Sequence, residues 1–203
     1  MSIVREIARA IRMFLVLWVL TAVIYPGVIF LVGQTFFPYQ ANGSLMQNLQ
    51  GKVVGSVLIG QPFTSERYFW SRPSMIDYST AAPKKDKNNV LKTGVSGASN
   101  LAPSNPDLLK QINERIDKLQ QADTDSTADL VYTSGSGLDP HITEEAALAQ
   151  LSRVARVRGL STDQINVLIA KHTNGRFLGI FGEPGVNVLK LNYELDVLQA
   201  ARQ

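Results

Sequence analysis

Ser136, Asp139 and His141 fall in one short stretch, Thr133-Ser-Gly-Ser-Gly-Leu-Asp-Pro-His141. They supply the side-chain types of a hydrolytic triad: a hydroxyl, a carboxylate and an imidazole. A triad is defined by geometry and roles, not by closeness along the chain. These residues therefore support only a secondary reading, an extracytoplasmic hydrolase held at a membrane by the anchor described below. Other catalytic signatures are absent. Ser134-Gly-Ser-Gly137 lacks the G-x-S-x-G spacing of a nucleophile elbow, and no G-x-x-x-x-G-K-[ST] phosphate cradle occurs. The two histidines, His141 and His172, form no H-E-x-x-H pattern, so a zinc site would need further carboxylate ligands. His141 follows Pro140 just before a helix start, which suits a surface or capping role. Cysteine is absent, which excludes disulfides, thiolate metal sites and cysteine nucleophiles.

Two segments combine glycine with small polar residues: Gly94-Val-Ser-Gly-Ala-Ser-Asn-Leu101 and the Thr133–His141 stretch. Glycines let backbone N–H groups converge, and hydroxyls and amides add donors, an arrangement suited to an anion or a partner's backbone. The same composition also describes ordinary hydrogen-bonded turns. Arg72-Pro73-Ser74, after the aromatic cluster Tyr68-Phe69-Trp70, is a third turn of this kind. The aromatic cluster reads as a core edge.

These segments are carried by a chain with two unlike parts. No charged residue lies between Arg12 and Lys52. Met13 to Gly33 is nearly continuous apolar sequence, and about 20 residues at about 1.5 Å each span the roughly 30 Å core of a bilayer. The run is too long for the h-region of a cleaved signal peptide, and the small-residue site Ala41-Asn42-Gly43 lies far downstream. A retained anchor is expected. Arg5, Arg9 and Arg12 precede it, whereas Gln34 to Gly51 holds no Lys or Arg, so the predicted orientation places the N-terminus in the cytoplasm and the rest outside. Phe36, Phe37 and Tyr39 fall where an outer aromatic belt would sit. Pro26 and Gly27 interrupt the run; they mark either a kinked lone anchor or, with Gly33, a small-residue notch for another membrane helix.

The expected division is a cytoplasmic tail (1–12), a transmembrane helix (13–34), a connector (35–51) and an extracytoplasmic domain (52–203). The net charge is +3, of which the tail contributes +2 through three Arg and one Glu. The remainder has no basic stripe, so nucleic acid is not an expected partner. Lys52–Gly60 reads as a strand. Residues 77–104, with Lys84, Lys85 and Lys87, read as a long loop. Asn105-Pro106 opens a helix with Leu108, Leu109, Ile112, Ile116 and Leu119 on one face. Leu130–Thr133 reads as a short strand. Thr143 caps a helix that presents Ala146, Ala147, Leu151, Val154 and Val157 and stops at Gly159. Ser161-x-x-Gln164 is a capping box for a helix to about Lys171. Val186–Leu191 reads as a strand, with Asn192 capping a final helix. The fold class is therefore a single N-terminal transmembrane helix plus one soluble α+β domain (α/β with a small sheet).

The ordered blocks FPYQANGS, GSVLIGQPF, YFWSRPS, SGASNL, SGSGLDPHIT, RVARVRG and GEPGVNVLKLN resemble the KdpC family, the C subunit of the bacterial Kdp potassium pump. The resemblance covers about residues 14–196. It implies a non-catalytic accessory subunit of the bacterial inner membrane. Implied partners are a potassium-translocating subunit, a P-type ATPase subunit and a small single-span subunit, with ATP and K+ as ligands of the whole complex. P-type engines carry D-K-T-G-T, whereas this chain has Leu91-Lys-Thr-Gly-Val95, with leucine in place of the phosphorylated aspartate. The family is also described as a catalytic chaperone that raises the ATPase subunit's affinity for ATP. This makes Ser96, Gly97, Ser99 and Asn100 candidate nucleotide contacts by likeness to an ABC-transporter signature, which Ala98 and Ser99 depart from. An extracytoplasmic location would leave only indirect coupling to ATP. Pro26, Gly27, Arg72, Ser136 and Asp139 are the candidate partner or intradomain contacts. A third reading is an assembly module that leaves the finished complex.

Overall fold

A computed structural model describes residues 3–79 and 95–201. Lys84, Lys85, Lys87, Leu91 and Gly94 lie outside the described residues. The chain forms two compact units, Met1–Leu45 and Met46–Gln203.

The first unit is one long helix followed by a short one. The long helix comprises α1 (Ile3–Val19), a π-helical stretch (Leu20–Ile24) and α2 (Tyr25–Phe36); α3 is Pro38–Ala41. Ile3–Phe36 is long and apolar enough to cross a membrane, and none of its side chains is buried within the chain. The helix begins well before the apolar run. Arg5, Arg9 and Arg12 therefore sit on its first turns, with Arg9 paired to Glu6 at 2.8 Å. Sequence reasoning expected Pro26 to remove a backbone hydrogen bond and bend the helix. The helix accommodates Pro26 through a π turn, in which the Tyr25 N–H donates to the carbonyl of Leu20. The cause is steric. Pro26 has no N–H, and its ring would collide with the carbonyl of Ala22 in a regular helix, so widening the preceding turn relieves the clash. Thr21 donates its hydroxyl to the Leu17 carbonyl at 2.8 Å, satisfying another acceptor in the same turns.

The second unit is α+β with very short strands. β1 (Leu45–Gln47) pairs with β2 (Val53–Ser56). α4 (Pro106–Gln121) and α5 (Ala128–Val131) follow, then β3 (His141–Ile142), α6 (Glu144–Arg158), α7 (Thr162–His172), β4 (Thr173–Asn174), β5 (Gly185–Asn187) and α8 (Val188–Ala200). The second sheet has the order β3-β5-β4, antiparallel throughout, with His141 opposite Asn187 and Thr173 opposite Val186. β5 is wholly buried, and α6, α7 and α8 all pack on it. The core is Phe69, Ile142, Ala146, Ala147, Val154, Ile165, Ile169, Val186, Val188, Leu191 and Leu195.

Three helix starts follow their capping chemistry. Asn105 accepts from the Asp107 N–H, Thr143 from Ala146, and Ser161 exchanges reciprocal bonds with Gln164. Gly159 ends α6 in the left-handed region, at φ 65°.

Three expected strands differ. Leu130 and Val131 are buried, but in the one-turn helix α5, because a two-residue apolar pair fits a helical turn as readily as a strand. The expected Lys52–Gly60 strand shrinks to Val53–Ser56, because a turn follows at once. The expected Val186–Leu191 strand stops at Asn187, and α8 begins at Val188. Asn187 is the cap, accepting from the Lys190 N–H at 3.1 Å, and Asn192 lies buried inside the helix.

Buried polar side chains do the work that a longer sheet would do. The Glu66–Trp70 segment is not a strand. Asn192 accepts from the Phe69 N–H (2.8 Å) and donates to the Phe69 carbonyl (2.9 Å). Gln150 does the same for Trp70, at 2.7 and 3.2 Å. Arg153, fully buried, donates to the carbonyls of Glu66 and Tyr68, to Gln150 and to Thr124. Its guanidinium also lies 4.0 Å from the centre of the Trp70 ring. Burial pushes the Arg153 pKa down to about 10. Arg158 donates to the Arg67 carbonyl and pairs with Asp196 at 2.9 Å. In the RVARVR run of α6, Arg153 and Arg158 thus point inward, whereas Arg156 reaches the exposed Asp123.

Candidate functional site

The three turn-forming segments singled out in the sequence meet in one place. The Gly97 N–H donates to the Ser136 carbonyl (2.8 Å), and the Ser96 hydroxyl donates to the same oxygen (2.9 Å). The Ser74 hydroxyl donates to the Gly137 carbonyl (2.8 Å), and the Ser134 N–H to the Pro73 carbonyl (2.9 Å). Ser134 accepts from the Gly137 N–H, and Ser136 from Leu138, both at 3.1 Å. Gly137 is required here twice over. Its φ is +68°, and a Cβ would sit 2.6 Å from both the Gly97 carbonyl oxygen and Ile76 Cγ1.

The Arg72 turn closes the other side of this knot. Arg72 pairs with Asp139 through Nη1 (3.2 Å) and with Asp129 through Nε (3.5 Å). Asp129 accepts from the Thr143 N–H (2.7 Å), and Asp139 from the His141 N–H (3.0 Å). Burial works to raise the Asp139 pKa, but the nearby His141 ring, the hydrogen bond from the His141 N–H and the Arg72 guanidinium outweigh it and hold the carboxyl below its ordinary value. Tyr78 is buried beneath, donates its hydroxyl to the Arg72 carbonyl, and has its pKa pushed up to about 12 by burial. Asp77, Tyr78 and Ser79 all have φ near +50°, a left-handed run strained for residues with a Cβ. Ser74 accepting from the Tyr78 N–H (3.1 Å) and Ser79 donating to the Val95 carbonyl (2.5 Å) hold that run in place.

This geometry assigns the candidate residues. Ser136 is bonded to Ser134 and Leu138. The His141 ring faces Asp139 (Nδ1, 3.8 Å) and Asn174 (Nε2, 3.2 Å). Among the described residues, no hydrogen bond joins Ser136 to His141, so the three hydrolase candidates do not form a nucleophile–base pair. Ser96 and Gly97 direct donors at Ser136, the Asn100 side chain donates to the Ala98 carbonyl (3.5 Å), and Ser99 is half-buried. Arg72, Ser136 and Asp139 are intradomain contacts. Pro26 and Gly27 lie in the helical unit. His172 meets Glu194 at 2.5 Å, and the described residues contain no group of three or more His, Cys, Asp or Glu that could hold a metal ion. Arg72, Asp129, Asp139, His141, Asn174 and Glu183 line a shallow cleft of about 280 Å³.

Sequence reasoning missed Asp129, Tyr78 and the trio Gln150, Arg153 and Asn192. Asn192 was singled out, but as the cap of the final helix rather than as a buried amide within it.

These features define a single-span protein whose α+β domain is held together by interlocked polar loops and buried amide side chains. The family described as "K+-transporting ATPase, c chain", KdpC, matches residues 7–197. The chain is 61% identical over 214 residues to a potassium-transporting ATPase KdpC subunit of Microcystis aeruginosa, covering 100% of both chains. It is 62% identical over 200 residues to KdpC subunit 1 of a Nostoc species (98% and 99% covered). It is also 47% identical over 196 residues to the KdpC subunit of Geobacter sulfurreducens (96% and 98% covered). The chain belongs to the KdpC family.

Proposed function

We infer that this chain is the accessory, non-catalytic subunit of an ATP-driven potassium uptake pump. The family match across residues 7–197 carries the reading. Leu91, standing where a P-type engine needs its aspartate, assigns phosphorylation to another subunit. The anchor helix packs against the pump's membrane part, with the π turn and Gly27 offering a low-profile surface to a neighbouring helix. The proposed partners are the potassium-translocating subunit, the P-type ATPase subunit and the small single-span subunit.

The location proposed is the bacterial inner membrane, with the N-terminus in the cytoplasm and the domain outside, over the potassium entrance. Arg5, Arg9 and Arg12 at one end of the helix and an uncharged flank at the other support this orientation. From there the chain raises the ATPase subunit's affinity for ATP by favouring one conformation of the complex, without touching nucleotide. The engagement of Ser96 and Gly97 with Ser136 favours this indirect route over direct contact.

Deleting the gene is the functional test: growth at limiting potassium should be lost, and unaffected growth with an intact pump would overturn the reading. For orientation, Val167→Cys places one thiol on the exposed face of α7 in a chain without cysteine. Labelling of intact spheroplasts by a membrane-impermeant maleimide is expected. Labelling only after lysis would put the domain inside.

A further inference from the structure

Helix α4 and residues 62–78 border a cavity of about 240 Å³. Phe63, Trp70, Leu119 and Leu130 give it apolar walls, and the last three are buried. Two cations of α4, Arg115 and Lys118, also line it; at this spacing they share one helix face. Among the described residues, neither has a carboxylate within salt-bridge distance. Arg115 is half-buried, and both of its hydrogen bonds go to neutral groups. Its Nη1 donates to the Val131 carbonyl (2.7 Å) and its Nη2 to the Gln111 side chain (3.1 Å). Those bonds fix the guanidinium plane and leave its other N–H donors open. Burial lowers the Arg115 pKa, with Glu114 working in the opposite direction. A half-buried charge of this kind is costly until a counter-charge reaches it. Lys118 is exposed and holds its Nζ 4.9 Å from the centre of the Trp70 ring. Arg72, also at the cavity, is already held by Asp129 and Asp139, and Asp77 is the one carboxylate among the described lining residues. The balance at the cavity is positive.

We propose that this cavity binds a small organic monoanion, a carboxylate on a compact apolar body, with Arg115 and Lys118 on the carboxylate and the apolar walls around the body. Both halves of that ligand are needed. A bare inorganic anion would meet the cations but leave Phe63, Leu119 and Leu130 facing water. An uncharged apolar molecule would fill the walls and leave Arg115 without a counter-charge. The cavity is also smaller than the roughly 300–1,000 Å³ of pockets that take drug-sized ligands, which limits the body to about one ring. Charge-assisted hydrogen bonds from a guanidinium already held in place cost little ordering on binding.

The test titrates the full-length chain, in an uncharged maltoside detergent, with cyclohexanecarboxylate. The chain has two tryptophans, so Trp18→Phe leaves Trp70, in the cavity wall, as the fluorescent reporter; calorimetry measures the same binding independently. Half-saturation at about 1 mM or below is expected. Cyclohexanecarboxamide has the same shape without the charge and should bind about tenfold more weakly or worse, as should sulfate. Lys118→Gln, at an exposed position, should weaken binding of the acid about fivefold with the urea midpoint unchanged. Arg115→Gln should remove the preference for acid over amide; it also loses the Val131 bond, so if it fails to fold the decision rests on Lys118→Gln. No binding of the acid by about 20 mM, equal binding of acid and amide, sulfate binding as tightly as the acid, or an unchanged affinity in Lys118→Gln would each overturn the proposal.

Discussion

Asn192→Leu tests whether buried amides hold the Phe69 segment to α8. Asn192 is 1% exposed and bonds both the N–H and the carbonyl of Phe69, itself fully buried. Leucine keeps the branching and the number of side-chain heavy atoms, though it is bulkier, and bonds neither group. Each orphaned backbone group costs about 1–3 kcal/mol, so the loss is roughly 2–6 kcal/mol, offset by about 1 kcal/mol from the added apolar burial. A net destabilisation of about 3 kcal/mol lowers Tm by roughly 6–12 °C for a domain of this size. The assay is urea unfolding of the detergent-solubilised chain, followed by Trp70 fluorescence with Trp18 replaced by Phe. Hydrogen exchange at the Phe69 amide gives a local readout. Asn192→Asp sharpens the test. The carboxylate keeps the acceptor and loses the donor, and burial raises its pKa above the unfolded value. The folded state then binds more protons, so stability is present at low pH and falls as pH rises through the folded pKa. If Asn192→Leu stays within about 0.5 kcal/mol of wild type and the Phe69 amide still exchanges slowly, the bracket contributes nothing and the reasoning fails.

Gly137→Ala should destabilise the domain by about 2–4 kcal/mol, through the positive φ and the clash with the Gly97 carbonyl and Ile76, and should speed hydrogen exchange across residues 95–100. Asp139 titrates below its ordinary value, so the stability it contributes is present above the unfolded pKa and lost as pH falls through the lower folded one. Asp139→Asn should therefore flatten the urea midpoint between about pH 5 and pH 2. Ser136→Ala should leave potassium-limited growth unchanged, and the pure domain should show no Ser136-dependent hydrolysis; either effect would revive the hydrolase reading.

What the sequence made legible was local. Helix caps at Asn105, Thr143 and Ser161 and the stop at Gly159 use chemistry contained within four residues, and each appears where that chemistry put it. The apolar run likewise declares its helix. The Val186–Leu191 segment misled because its Val and Leu residues suit a buried strand and a buried helix equally. Only the side chain of Asn187, turned back on Lys190, decides where one becomes the other. The bracket around Phe69 and Trp70 was illegible because its partners lie 80 and 123 residues away in sequence. The polar glycine segments were recognised as a pattern, but their mutual engagement was not, because hydroxyls that bind an anion and hydroxyls that bind a neighbouring loop have the same composition. The run Phe177-Leu-Gly-Ile-Phe181 holds no polar side chain, and only the fold reveals that it is exposed.

The most direct test of the accessory-subunit account is to purify the pump through a tag on its ATPase subunit, from cells with and without this chain, and to follow potassium-stimulated ATP hydrolysis against ATP concentration. The account predicts that the chain is retained in equal stoichiometry and that, without it, half-maximal activity needs more ATP or is not reached. An intact pump with an identical ATP dependence in its absence would contradict it.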